Sequence, residues 1–249
     1  MPIWLEAGGW GLLAGGALVV GAAVAWFVRV PQAVVASVMA FGSGVLISAL
    51  AFDLVDEAER TGGLTPTVLG ALGGAAAYVA ANVALARRGA RHRKRSQDQQ
   101  PSEQEQAGSG AAIAVGALLD GIPESVVLGV SLIGGGGVGV PVLAAIFISN
   151  LPEGLSSAAG MKRNGRSARY VFGVWTAIAV VSGIAGLLGC LLLQDASGNV
   201  IAAITAVAAG AILTMVADTM IPEAFEKTHM YAGIIATVGF LLAFVIERA

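Results

Sequence analysis

Two short stretches of this sequence carry most of its chemistry. "LLDGIPESVVLG" (118–129) holds Asp120 and Glu124 around Pro123, and "ISNLPEGLSSAAG" (148–160) holds Ser149, Asn150 and Glu153 around Pro152. Successive helical residues turn by about 100°, so positions three or four apart share a face and can point at one object. Asp120 and Glu124 then form one polar face, and Ser149, Asn150 and Glu153 another. Each proline lacks an N–H and displaces the carbonyl four residues earlier, which loosens the carbonyls of Leu119 and Ile148. Carboxylates, an amide oxygen, a hydroxyl and loosened carbonyls are oxygen ligands. They suit hard divalent cations such as Mg²⁺, Ca²⁺ and Mn²⁺, and carboxylates also hold Zn²⁺ and Fe²⁺.

The elements that must position these groups are apolar. The chain has 249 residues, of which 56% are hydrophobic and 12% charged, against about 25% charged in an ordinary soluble domain. Its mean hydropathy is +0.80. Crossing a hydrocarbon core of about 30 Å takes roughly 20 apolar residues in a helix. Using charges and turn residues as punctuation gives eight such spans: 8–28, 32–55, 66–86, 111–133, 140–161, 170–193, 199–222 and 229–247. The 35 glycines suit helices that approach closely in lipid. The glycine-rich link "IGGGGVGVP" makes the fourth and fifth spans antiparallel neighbours whose polar faces can meet.

An ionised carboxylate inside a bilayer is costly, by about 2.5 kcal/mol or more. Asp120, Glu124 and Glu153 lie deep in their spans with no Lys or Arg at the same depth. Three acids on adjacent proline-bearing helices therefore read as a cation site rather than as protonated groups that serve packing. Asp120 and Glu124 also repel each other when no metal is bound, so at least one should then carry a proton.

The remaining composition narrows the classes. A net charge of −2 points to no nucleic-acid partner. Cys190 is the only cysteine, so neither a disulfide within one chain nor a thiolate cluster can form. The start, "MPIWLEAGGWG", has no basic run and carries Glu6, so the first span is expected to stay as a helix. No nucleophile, His dyad or organic-cofactor motif accompanies the acids, which argues against an enzyme. His92 and His229 read as solvated, and Met215 and Met220 as packing residues.

Residues 87–110, "RRGARHRKRSQDQQPSEQEQAGSG", are expected to form a disordered cytoplasmic loop. With alternating sides, twelve of the fourteen Lys and Arg fall on one face, leaving Arg60 and Arg248 opposite. The positive-inside rule then puts both termini outside the cytoplasm. The second and seventh spans resemble each other, "GVLISALAFDLVDEA" from Gly44 against "GAILTMVADTMIPEA" from Gly210, aligning Glu57 with Glu223 and Ala58 with Ala224. The second copy comes five crossings after the first, so the two cross the membrane in opposite directions, as in inverted-repeat transporters. Asp53, Glu57, Asp218 and Glu223, with Asp56, could line entrance and exit paths or simply be hydrated helix ends.

"DGIPES" and "SNLPEG" resemble the paired His-Asn-x-Pro-Glu-Gly motifs on the fourth and fifth helices of ZIP metal transporters. The eight-span layout, the basic loop and the Glu-Ala endings of spans two and seven are similar too. The resemblance implies passage of Zn²⁺, Fe²⁺, Mn²⁺, Cd²⁺ or Co²⁺ towards the cytoplasm through a site between helices four and five, which a moving bundle exposes to each side in turn. Asp120 stands where the family usually has histidine, Gly121 where it has asparagine, and Ser149 where it has histidine or glutamine. In "SGIAGLLG" from Ser182, Gly186 stands where it has glutamate. One principal site is therefore expected, made of Asp120, Glu124 and Glu153, with Asn150 and Ser149 as weaker ligands.

The expected fold is an all-α integral membrane protein, one transmembrane domain over 1–249. Its eight helices take a 3+2+3 arrangement, with helices 1–3 and 6–8 as an inverted repeat and helices 4 and 5 proline-kinked around the site. The expected function is transport of a divalent cation across the cytoplasmic membrane. The competing reading is a membrane protein that senses metal or protons without transporting them. Small-residue faces on spans two, three and seven suit a homodimer or internal packing equally.

Overall fold

The computed structural model describes residues 1–90, 109–133 and 140–248, and every regular element among them is helical. Eight helices are long and apolar enough to cross a membrane. They are α1 (Ile3–Phe27), α2 (Gln32–Gly62), α3 (Leu64–Leu85), α4 (Ser109–Ser131), α5 (Val140–Arg163), α6 (Ala168–Leu193), α7 (Gly198–Thr228) and α8 (Tyr231–Arg248). Their apolar runs leave the backbone no partner in lipid except itself, which dictates helix. Pro123 and Pro152 both sit inside helices that continue through them.

Residues 86–90 extend α3 as a π-helical turn. Of the segment expected to be a loop, 87–90 are thus helical and 109–110 open α4, while 91–108, with His92, lie outside the described residues. The glycines of 134–137, which carry the expected link between α4 and α5, lie outside them too.

The likeness of α2 and α7 extends far beyond the fifteen residues that align in sequence. Each is a 31-residue span interrupted by one π-helical turn, Leu50–Leu54 in α2 and Val216–Met220 in α7. Start, π turn and end all recur at a spacing of 166 residues. The turn that follows recurs as well: Gly63 at φ 80° precedes α3, and His229 at φ 45° precedes α8. Left-handed backbone is natural for glycine and uncommon for other residues. His229, expected to open the last span, is instead this turn residue.

Helix neighbours follow the same exchange. α1 packs on α5 and α6, and α6 in turn on α4; α3 packs on α7, and α8 on α2. The bundle thus divides into two groups, α1, α4, α5 and α6 against α2, α3, α7 and α8, joined chiefly where α2 meets α5, α3 meets α4 and α7 meets α4. α2 and α7 are antiparallel, Gly62 lying beside Asn199 and Ala202 while Gly42 lies beside Met220. Within each group glycines bring backbones together. A methyl group at Gly44 would strike the carbonyl of Ala236, at Gly210 that of Ala71, and at Gly154 that of Leu18. Such contacts replace the hydrophobic effect, which drives little association between helices in lipid.

α4 and α5 do not pack side by side as expected. They touch only slightly, because α1, α2, α6 and α7 fill the space around them. All described Lys and Arg except Arg60 and Arg248 gather at one end of the bundle, the end where α1, α3, α5 and α7 terminate.

Candidate metal site

α4 and α5 present their polar residues to the interior. Asp120 is 2% exposed, Glu124 1%, Ser149 0%, Asn150 4% and Glu153 3%, so all five expected ligands are buried. Buried carboxylates persist in an apolar medium only with partners. Asp120 accepts a hydrogen bond from the Tyr78 hydroxyl at 2.5 Å, and Tyr78, on α3, is itself buried. Asn150 donates from its amide nitrogen to the Ala14 carbonyl at 3.0 Å. That bond ties α5 to α1 and turns the amide oxygen, the end able to bind a cation, away from α1. The Ser149 hydroxyl donates to the Ile146 carbonyl and the Ser125 hydroxyl to the Gly121 carbonyl. Both hydroxyl oxygens keep acceptor capacity after donating.

Among the described residues no three of His, Cys, Asp and Glu stand together as a metal cluster. The expected acids are therefore all interior, but they are not gathered as a ready-made three-carboxylate cage.

The residues expected to line a path separate into two environments. At the end opposite the basic one, a cavity of about 600 Å³ is lined by Asp53, Asp56 and Glu57 of α2 and by Glu247 and Arg248 of α8. Val127 of α4, three residues beyond Glu124, and Thr205 of α7 also line it. Arg60 at the rim pairs with Asp56 at 2.8 Å. At the basic end, Glu223 is 4% exposed and accepts a hydrogen bond from Ser156 of α5 at 3.2 Å. Asp218, in the π turn of α7, is exposed.

Three participants escaped the sequence reading: Tyr78, Ser156 and Glu247. Tyr78 sits in an alanine-rich run that reads as packing, and Glu247 reads as a hydrated helix end. Ser156 belonged to a quoted motif, but nothing in its spacing marks it as a partner for α7. Gly186 has a steric explanation. A methyl group there would lie 2.8 Å from the Ala7 carbonyl oxygen and 3.3 Å from that of Ser125, so α1 and α4 leave no room for an acid. A methyl group at Gly121 would meet only the Ser182 hydroxyl, at 3.4 Å.

Comparison with known proteins adds one finding. A search of curated proteins returns no match. The family described as ZIP zinc transporter is matched over residues 79–247, well over half of the chain and inclusive of both proline-bearing motifs. The chain belongs to the ZIP zinc transporter family.

Proposed function

We infer that the chain transports a divalent metal, as membership of this family implies. We propose that the chain carries its cation towards the cytoplasm by alternating access, through a principal site made by Asp120, Glu124 and Glu153, with Asn150 and Ser149 assisting. The observation that carries this reading is the burial of all five residues on two membrane helices. Oxygen ligands replace part of the ion's hydration shell, and ions such as Zn²⁺, Fe²⁺, Mn²⁺, Cd²⁺ and Co²⁺ tolerate carboxylates. One principal site is favoured because Gly186 has no space for a further acid. The termini lie outside the cytoplasm in this reading, because the basic end faces inward.

The 3+2+3 arrangement is supported by the constant repeat spacing and by the exchange of helix neighbours. Alternating access is supported by the inequality of the two ends. The cavity at Asp53 and Glu57 is lined also by Val127, three residues along α4 from Glu124, while the Ser156–Glu223 bond spans the two helix groups at the other end. Metal reaching three acids from scattered positions requires the groups to shift, and a carrier has to move in any case. Asp53 and Glu57 then form the entrance, and Glu223 with Asp218 the exit.

The test is flux and metal content with purified protein in proteoliposomes, with Zn²⁺, Mn²⁺, Fe²⁺, Co²⁺, Cd²⁺ and Mg²⁺ in competition, repeated on Glu153→Gln. Metal content that Glu153→Gln leaves unchanged would sink the site. Binding without flux would select the sensor reading. Protons compete for the same carboxylates, so uptake should fall as external pH drops from mildly alkaline to mildly acidic. Constant uptake across that range would remove the competition.

A further inference from the structure

The cavity at the basic end has no part in the proposed path. It encloses about 450 Å³ between the end of α1, the start of α2 and the end of α5. It is lined by Arg29, Lys162 and Arg163, all exposed and so at its mouth, and by Ala25, Val35, Leu155 and Ala159, which are buried or half-buried. Leu155 lies eight residues before Arg163, so the apolar slot runs about 12 Å inward along α5. None of the three cations forms an ion pair among the described residues.

Lys162 is held in place by donating to the Trp26 carbonyl at 2.6 Å, with its ammonium 5.2 Å from the centre of the Trp26 ring. Trp26 and Phe27 both pack against the ring of Phe172. Aromatic belts mark the headgroup level of a bilayer, which sets the mouth of the cavity at that depth. A cationic mouth over an apolar slot has the shape of an anionic headgroup over an acyl chain. An inorganic anion would satisfy the mouth and leave the slot unfilled.

We propose that this cavity binds an anionic phospholipid, with its phosphate on Arg29, Lys162 and Arg163 and one acyl chain in the slot. Basic pockets between membrane helices are suited to such headgroups. The walls come from both helix groups, α1 and α5 from one and α2 from the other. A lipid seated there bridges the groups and favours the arrangement in which they now stand. The proposal is independent of which ion is carried.

The full chain in neutral detergent is titrated with phosphatidylglycerol, phosphatidylcholine or sodium phosphate, reading the thermal midpoint and the lipid retained in native mass spectra. Phosphatidylglycerol should raise the midpoint saturably and be retained, while the other two should do neither. Each basic residue near an anionic surface is worth about fivefold. Arg29→Gln with Arg163→Gln should therefore weaken the half-saturating phosphatidylglycerol concentration by on the order of tenfold or more. Both side chains are exposed, so the fold does not depend on them. Ala159→Phe, which fills the slot and keeps the cations, should also abolish retention. Arg169→Gln, an exposed residue at the same end but outside the cavity, should respond as the unaltered chain does. An equal response to phosphate, retention unaffected by Ala159→Phe or by the double substitution, or an equal loss in Arg169→Gln would each overturn the proposal.

Discussion

The last eight residues of α2, Val55–Gly62, and of α7, Ile221–Thr228, share a design and differ in surroundings. Both follow a π turn, both carry a Glu-Ala pair at the same repeat position, and both end at a left-handed residue. Yet Glu57 is exposed in a cavity of about 600 Å³, and Glu223 is buried against Ser156. What packs against each copy sets the environment of its carboxylate. Ser156 of α5 reaches Glu223 at the α7 end, while at the α2 end a cavity lined by residues of α4, α7 and α8 lies beside Glu57. A repeat thus supplies two equivalent helix ends, and what packs against each decides which carboxylate is buried.

The largest effects are expected where the copies are alike. Gly44→Leu and Gly210→Leu each force a side chain onto a carbonyl, of Ala236 and Ala71 respectively. Each should exceed the about 1–3 kcal/mol of ordinary overpacking and be seen as loss of monodisperse protein in gel filtration. Tolerance of one but not the other would break the equivalence of the two copies.

Next comes Tyr78→Phe, which deletes the hydroxyl that Asp120 accepts across the two helix groups. Partners that orient ligands contribute about 10–100-fold to metal affinity, so calorimetric affinity should fall at least tenfold. An unchanged affinity would confine Tyr78 to packing. Smaller still is the contrast between Ser156→Ala and Glu57→Gln. The former removes a donor from buried Glu223 and should lower stability by about 1–3 kcal/mol, while the latter should leave the thermal midpoint where it was. Equal shifts would show that the two carboxylates do not differ in environment after all. The smallest change is Arg60→Gln. Its pair with Asp56 is largely exposed, and exposed pairs contribute about 0–1 kcal/mol at most, so denaturation curves should superimpose.

Most of the scaffold could be read without coordinates, because the bilayer imposes one rule on every span and charges mark where spans stop. The interior fate of Asp120, Glu124, Asn150 and Glu153 followed from their depth in α4 and α5. The repeat was visible only as fifteen residues, since backbone hydrogen bonds and glycine contacts preserve its geometry while side chains drift. Direct packing of α4 on α5 was the wrong inference. A polar face predicts burial, but which helix covers it depends on the whole bundle. Glu57 and Glu223 looked interchangeable for the same reason, and no local signal distinguishes Tyr78 from the alanines around it.

At 1.5 Å per residue, α2 runs about 46 Å, well beyond a hydrocarbon core of about 30 Å. Its acidic final turns, with Asp56, Glu57 and Glu59, therefore stand proud of the lipid like a mast. Dissolved cations gather around such a charge before any of them descends, and salt thins that cloud over a Debye length of about 10 Å at 0.1 M. The length of one helix thereby makes the concentration of cations at this end a property of the surrounding electrolyte as well as of the protein.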